Sequence, residues 1–162
     1  MPQNKSTDRF VVLVSLLVAM LLRIVPLPKE WFVFNPDWVL LFMIYWAIAI
    51  PERVGVWHAW FSGLLCDVLT GRLMGQHALA YSIIVFVCVK LHLRLRSYAL
   101  YYQAVAVLPL LLVSQLVVLL TQNIKAASAV DVVYWMPSLM GALIWPVIFK
   151  SLRLVRRHYK IT

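Results

Sequence analysis

Acidic residues number six and cysteines two in this chain of 162 residues, and charged residues of both signs make up 13% of it. Each shortage excludes something. So little charge beside 64% hydrophobic residues, with a mean hydropathy of +0.87, rules out a water-soluble globule. Cys66 and Cys88 both sit inside apolar runs and form no CxxC pair, which argues against a disulfide scaffold and against a zinc site. There is no HExxH, GxSxG or Walker Gly-Lys-Ser/Thr segment, and no paired carboxylates within one predicted span. His58, His77 and His92 lie on three different segments without ligand spacing. The sequence therefore gives no sign of an enzyme, a cofactor or a metal site, and it is short of groups for a proton relay or metal-dependent phosphotransfer.

Apolar runs are what the chain has in abundance. A spanning helix needs roughly 20 mostly apolar residues, so five or six of them use nearly all the hydrophobic content and leave no room for a separate soluble domain. The pattern predicts an all-α polytopic membrane protein in which residues 1–162 form one integral membrane domain. It is a compact bundle of about six short transmembrane helices, near 10–25, 36–50, 54–70, 73–89, 98–120 and 132–149, with a basic tail at 150–162. No small-x-small cleavage site follows the first run, which is read as a retained span. Pro51 ends the second, Gly71-Arg72 separates the third from the fourth, the polar strip Lys90–Arg96 precedes the fifth, and Pro109 is expected to kink that helix.

Charge orients the bundle. With six spans both termini share a side, which then carries eleven basic residues against four on the other, so both ends are expected in the cytoplasm. The cytoplasmic basic face comprises Arg53, Arg94, Arg96, Lys150, Arg153, Arg156 and Arg157. The tail repeats its charges at three and four, as on a helix continuing out of the membrane, and suits anionic lipid, at about 1 kcal/mol per basic side chain. With Tyr159 as its only stacking group, the strip does not suit nucleic acid.

Two constellations stand out. Gly63, Asp67, Gly71 and Gly75 are spaced by four and would form one drifting stripe on a helix, and Gly71-x3-Gly75 is the small-xxx-small pattern of close packing in membranes. On that reading Gly71→Leu weakens assembly more than Gly141→Leu. Asp67 is the one acid inside a predicted span, near its outer end. It could be partly hydrated, cap the turn at Gly71, or pair with Arg72, Arg23 or His77. The second constellation, Asn35-Pro36-Asp37-Trp38, supplies a cap, a helix starter, a first-turn acid and an interfacial aromatic for a span entering from the outer side.

The order Asn35-Pro36-Asp37-Trp38-Val39-Leu40-Leu41, Tyr45-Trp46, Pro51-Glu52-Arg53-Val54, Gly63-x3-Asp67-x3-Gly71-x3-Gly75 and Trp145-Pro146 resembles the rod shape-determining MreD family over nearly the full chain. The resemblance implies a non-enzymatic scaffold in the bacterial inner membrane that binds MreC, a single-span protein with a periplasmic coiled coil. MreB, RodA and its class B transpeptidase are implied in the same complex, which governs cell shape and lateral peptidoglycan synthesis. The family's acidic residue in the glycine stripe falls on Asp67, and its outer-interface element on Pro36-Asp37-Trp38. A second reading is a membrane subunit that binds a small molecule or lipid intermediate, like the subunits of vitamin-uptake transporters. It requires a polar cavity lined from among Asp37, Asp67, His58, His77, Gln115 and Gln122.

Overall fold

The computed structural model describes residues 5–25, 28, 34–123, 131–159 and 161. Among them are six α-helices: α1 (Lys5–Ile24), α2 (Trp38–Ala49), α3 (Val56–Thr70), α4 (Gln76–Ser97), α5 (Leu100–Asn123) and α6 (Met136–His158). A short 3-10 helix, Val132–Trp135, leads into α6.

α2 lies at the centre. Its twelve residues, WVLLFMIYWAIA, carry no charge, and a helix apolar all round belongs in an interior. Val39, Leu40, Leu41, Met43, Ile44, Trp46 and Ala47 are wholly enclosed, and α1, α4 and α6 pack around them. Asp37 starts the helix by accepting a hydrogen bond from the Leu40 N–H at 3.2 Å, which answers one of the unpaired donors of the first turn. The helix stops before Pro51, which has no N–H to continue it.

Side-chain pairs fix how the helices run. Arg23 at the end of α1 meets Asp37 at the start of α2, Ser15 Oγ accepts from Trp46 Nε1 at 2.8 Å, and Asp8 pairs with Arg53 beyond the end of α2, so α1 and α2 are antiparallel. Asp67 of α3 bonds His77 of α4, Gln103 of α5 donates to the Leu95 carbonyl of α4 at 2.8 Å, and Ser138 of α6 donates to Gln115 of α5 at 2.5 Å. The helix ends therefore sort into two groups, one holding the start of α1 and the end of α6 and the other holding Arg23, Asp37, Asp67, Arg72, His77 and Asp131.

Three helical segments are long and apolar enough to cross a membrane: Gln76–Ser97, Leu100–Gln122 and Val132–His158. α2 is about 18 Å long at 1.5 Å per residue, short of the roughly 30 Å hydrocarbon core. Outward faces are apolar in the manner of lipid-facing surface, as at Phe10, Leu13, Leu17 and Leu21 of α1 and Trp57, Phe61, Leu65 and Val68 of α3.

Helix bounds depart from the sequence expectation at the strip before α5, with a clear physical reason. The polar strip Lys90–Arg96 is the last part of α4 and not a separate connection. Leu, Lys and Arg favour helix, Leu95 is buried, and Arg94 and Arg96 suit the negative end of the helix dipole. α6 runs eight residues past Lys150 to His158, the helical tail that the spacing of its charges leads one to expect. α5 is continuous through Pro109. Asp8, expected ahead of the first span, lies within α1, is 4% exposed and is paired with Arg53. Buried acids are thus more numerous than hydropathy alone suggests.

The glycines divide by role. A methyl group added at Gly63 would collide with the Ala78 backbone, so α3 and α4 touch there through bare main chain. Gly63→Ala is expected to cost about 1–3 kcal/mol, because backbone cannot move aside as a side-chain tip can. Gly55→Ala, with nothing within 4 Å of the new carbon, should stay within about 0.5 kcal/mol. Denaturant unfolding in detergent measures both, and equal losses would refute the close α3–α4 contact.

Candidate functional site

The turn between α3 and α4 builds the site. At the end of α3, the Gly71 N–H reaches the Val68 carbonyl at 3.3 Å and the Arg72 N–H reaches the Asp67 carbonyl at 3.1 Å, the double closure that needs a left-handed residue at Gly71, whose φ is 62°. Gly75, with φ 99°, starts α4. Positive φ is costly for any residue with a Cβ. Glycine at 71 and 75 therefore answers backbone shape, and open space surrounds both.

This corrects the stripe. Gly63 and Asp67 lie on α3, but Gly71 and Gly75 lie in the turn after it, so the four do not form one helix face. Close helix approach belongs to Gly63 alone, and its neighbour is α4 of the same chain. The ranking of Gly71→Leu over Gly141→Leu loses its packing basis too, since a Cβ at Gly141 meets Leu111 at 2.8 Å whereas one at Gly71 meets nothing.

Asp67 is fully buried, so the partly hydrated alternative does not hold. Its carboxylate accepts from the Gly75 N–H at 2.8 Å and from the His77 N–H at 3.1 and 3.2 Å. It also accepts from His77 Nδ1 at 2.6 Å. The acid thus sits on the positive N-terminus of α4, which stabilises negative charge. His77 Nε2 lies 3.3 Å from Arg23 Nη2. Arginine only donates, so Nε2 is the acceptor and Nδ1 carries the proton toward Asp67. Arg23 Nη1 pairs with Asp37 at 3.1 Å, and Asp37 in turn accepts from the Tyr81 hydroxyl at 2.7 and 2.8 Å. Asp67, His77, Arg23, Asp37 and Tyr81 therefore form one continuous chain of polar contacts across α1, α2, α3 and α4.

Among the expected residues, Asn35-Pro36-Asp37-Trp38 does lead into α2, but the cap is Asp37 and not Asn35, whose Oδ1 accepts instead from Trp38 Nε1 at 2.8 Å. Asp37 does more, since it is both the cap and the central anion of the network. Sequence reading placed Arg23 and His77 among possible partners of Asp67 but missed Tyr81. The available signal was its position one helical turn after His77, where the two rings meet edge to face at 5.6 Å. On the opposite end, Arg94, Arg96, Lys150, Arg153 and Arg157 are exposed. Arg53 is held by Asp8, and Arg156 is half-buried and donates to the Ile161 carbonyl at 3.1 Å.

Above the network opens a cleft of about 600 Å³ to which all six helices and their flanking turns contribute. Arg23, Asn35 and Asp37 line one part, Arg72 and His77 another, and Gln115, Asp131 and Tyr134 the far wall. Gln115 fixes that wall, donating to the Tyr134 carbonyl at 3.0 Å while its own carbonyl accepts from the Tyr134 hydroxyl at 3.1 Å. Asp37, His77 and Gln115 are where a polar cavity requires them. Asp67 lies behind His77, and His58 is exposed near the start of α3.

If the network is held by its ion pair, Arg23→Ala and Asp37→Ala should be coupled by about 0.5–3 kcal/mol in a double-mutant cycle of unfolding in detergent. Additive losses would show that Arg23 and Asp37 act independently.

Residues 4–155 match the family model described as rod shape-determining protein MreD. The rod shape-determining protein MreD of Haemophilus influenzae is 28% identical over 156 residues, covering 94% of each chain. No solved structure matches the chain. A family match that takes in all six helices, on an all-helical fold with membrane-length apolar segments, means that the chain belongs to the MreD family of rod shape-determining membrane proteins.

Proposed function

We propose that this chain is a non-enzymatic scaffold of the cell-elongation complex in the bacterial inner membrane. It binds MreC directly and shares a complex with MreB, RodA and its class B transpeptidase, through which it helps control cell shape and lateral peptidoglycan synthesis. The observation that carries this reading is the family match over residues 4–155. The distribution of groups agrees with it. The buried charges at one end answer each other within the bundle, and the outward faces of α1 and α3 offer continuous apolar surface to lipid or to a partner's membrane helix.

The end bearing Arg94, Arg96, Lys150, Arg153 and Arg157 faces the cytoplasm in this proposal, by the excess of basic residues there. The opposite end, with Asp37, Asp67 and the cleft, then lies at the outer surface of the membrane, on the side of the MreC coiled coil. All six helices cross or enter the bilayer, with thinning of the membrane around the short α2 and α3.

Two outcomes are expected. The tagged chain, extracted from its native membranes in mild detergent, retains MreC, and loss of MreC from a stably folded preparation would remove the scaffold assignment. In a background with Cys66 and Cys88 replaced by alanine, a membrane-impermeant thiol reagent labels Arg72→Cys in spheroplasts and labels Ser97→Cys after lysis alone. The reverse pattern would invert the orientation.

A further inference from the structure

The cleft at the end opposite the termini has a charge pattern that the network beneath it does not use up. Arg23 and Asp37 are committed to each other at 3.1 Å, and His77 is committed to Asp67. Two further charged residues line the same cleft. Arg72 follows the Gly71 turn and Asp131 precedes the 3-10 helix. Both are exposed, and neither closes an ion pair among the described residues. Among the described residues the cleft therefore offers one unanswered cation and one unanswered anion. An anionic ligand would satisfy Arg72 and face repulsion from Asp131 and Asp37, and a cationic one would leave Arg72 without a partner. A ligand carrying both charges satisfies both.

Its remaining lining is amphiphilic. Asn35, Thr70 and Tyr134 supply polar contacts, and Ile24, Leu69, Val118 and Val133 supply apolar ones. Ile24, Leu69 and Val133 are exposed, so this apolar surface is open to a hydrocarbon chain. Trp38 and Tyr134 stand at the same end of the bundle, as aromatics do at the headgroup level of a bilayer. The volume, about 600 Å³, falls within the roughly 300–1,000 Å³ of small-molecule sites.

We propose that this cleft binds the phospho-ammonium headgroup of a zwitterionic phospholipid, with Arg72 on the phosphodiester, Asp131 on the ammonium and the apolar lining along the glycerol ester and upper acyl chain. A free zwitterion such as phosphoethanolamine shares the headgroup chemistry. The apolar wall favours the lipid-borne form.

The test is native mass spectrometry of the full chain in detergent, incubated with equal amounts of phosphatidylethanolamine and phosphatidylglycerol with matched acyl chains. The expected result is retention of phosphatidylethanolamine over phosphatidylglycerol by about fivefold. Asp131→Asn abolishes that preference, and Arg72→Gln lowers retention of both lipids, whereas Arg72→Lys, which keeps the charge, retains both. Both residues lie outside the helices, and an unchanged melting temperature confirms that each variant is folded. Equal retention of the two lipids by the parent chain, an undiminished preference in Asp131→Asn, or undiminished retention in Arg72→Gln would overturn the proposal. Glycerophosphoethanolamine is the competing arm. Failure to displace the lipid at matched concentration supports a membrane ligand, and displacement at that concentration overturns the lipid assignment in favour of a soluble one.

Discussion

Asp67 is the constraint around which the rest of this fold is arranged. A carboxylate with no exposure in a chain this apolar must be answered wholly by protein, because an unpaired buried charge costs far more than a single bundle contact returns. The answer draws on a backbone turn, a helix N-terminus and a histidine at once. Each element has its own requirement. The turn needs left-handed residues, met by Gly71 and Gly75. The histidine needs an acceptor role for its second nitrogen, met by Arg23. Arg23 needs a counter-charge, met by Asp37, and Asp37 is also the cap that starts the central helix. Four helices are thus tied at one end by a sequence of obligations that begins with one acid.

The two ends of the bundle solve opposite problems. Where the termini gather, basic side chains project outward along α4 and α6 and are left to solvent and headgroups. At the far end Arg23, Asp37, Asp67 and His77 point inward and hold one another, while Arg72 and Asp131 stay exposed. The same residue types serve both ends, and the difference lies in whether the chain supplies the counter-charge. Asp8 and Arg53 form a smaller inward pair at the basic end, which removes Arg53 from the surface that its sequence position suggested.

Much of this architecture was legible in the sequence, and the rest was not for identifiable reasons. Apolar runs separated by Pro51, Gly71 and Pro26-Leu27-Pro28 were enough to divide the chain into helices, although Pro26 and Leu27 lie outside the described residues. The basic strip at 90–96 was read as a connection because hydropathy falls there. Helix propensity does not fall, and the helix continues. The glycine stripe was read from spacing, yet spacing cannot distinguish a glycine that lets a helix approach from one that lets the backbone turn. Gly63 is the first kind, and Gly71 and Gly75 are the second. Asp37 was read as a first-turn acid behind an Asn35 cap, whereas it is itself the cap, and its bond to Tyr81 spans 44 positions, beyond any local periodicity.

The enclosed central helix has a consequence for how the protein is made. α2 has almost no surface of its own to offer to lipid, and part of its enclosure comes from α6, where Phe149 meets Tyr45 edge to face at 5.4 Å. A nascent chain therefore carries α2 with one side unsealed through the synthesis of four further helices. The bundle closes around α2 only once the C-terminal helix is in place, so the central helix depends for its full enclosure on the part of the chain made last.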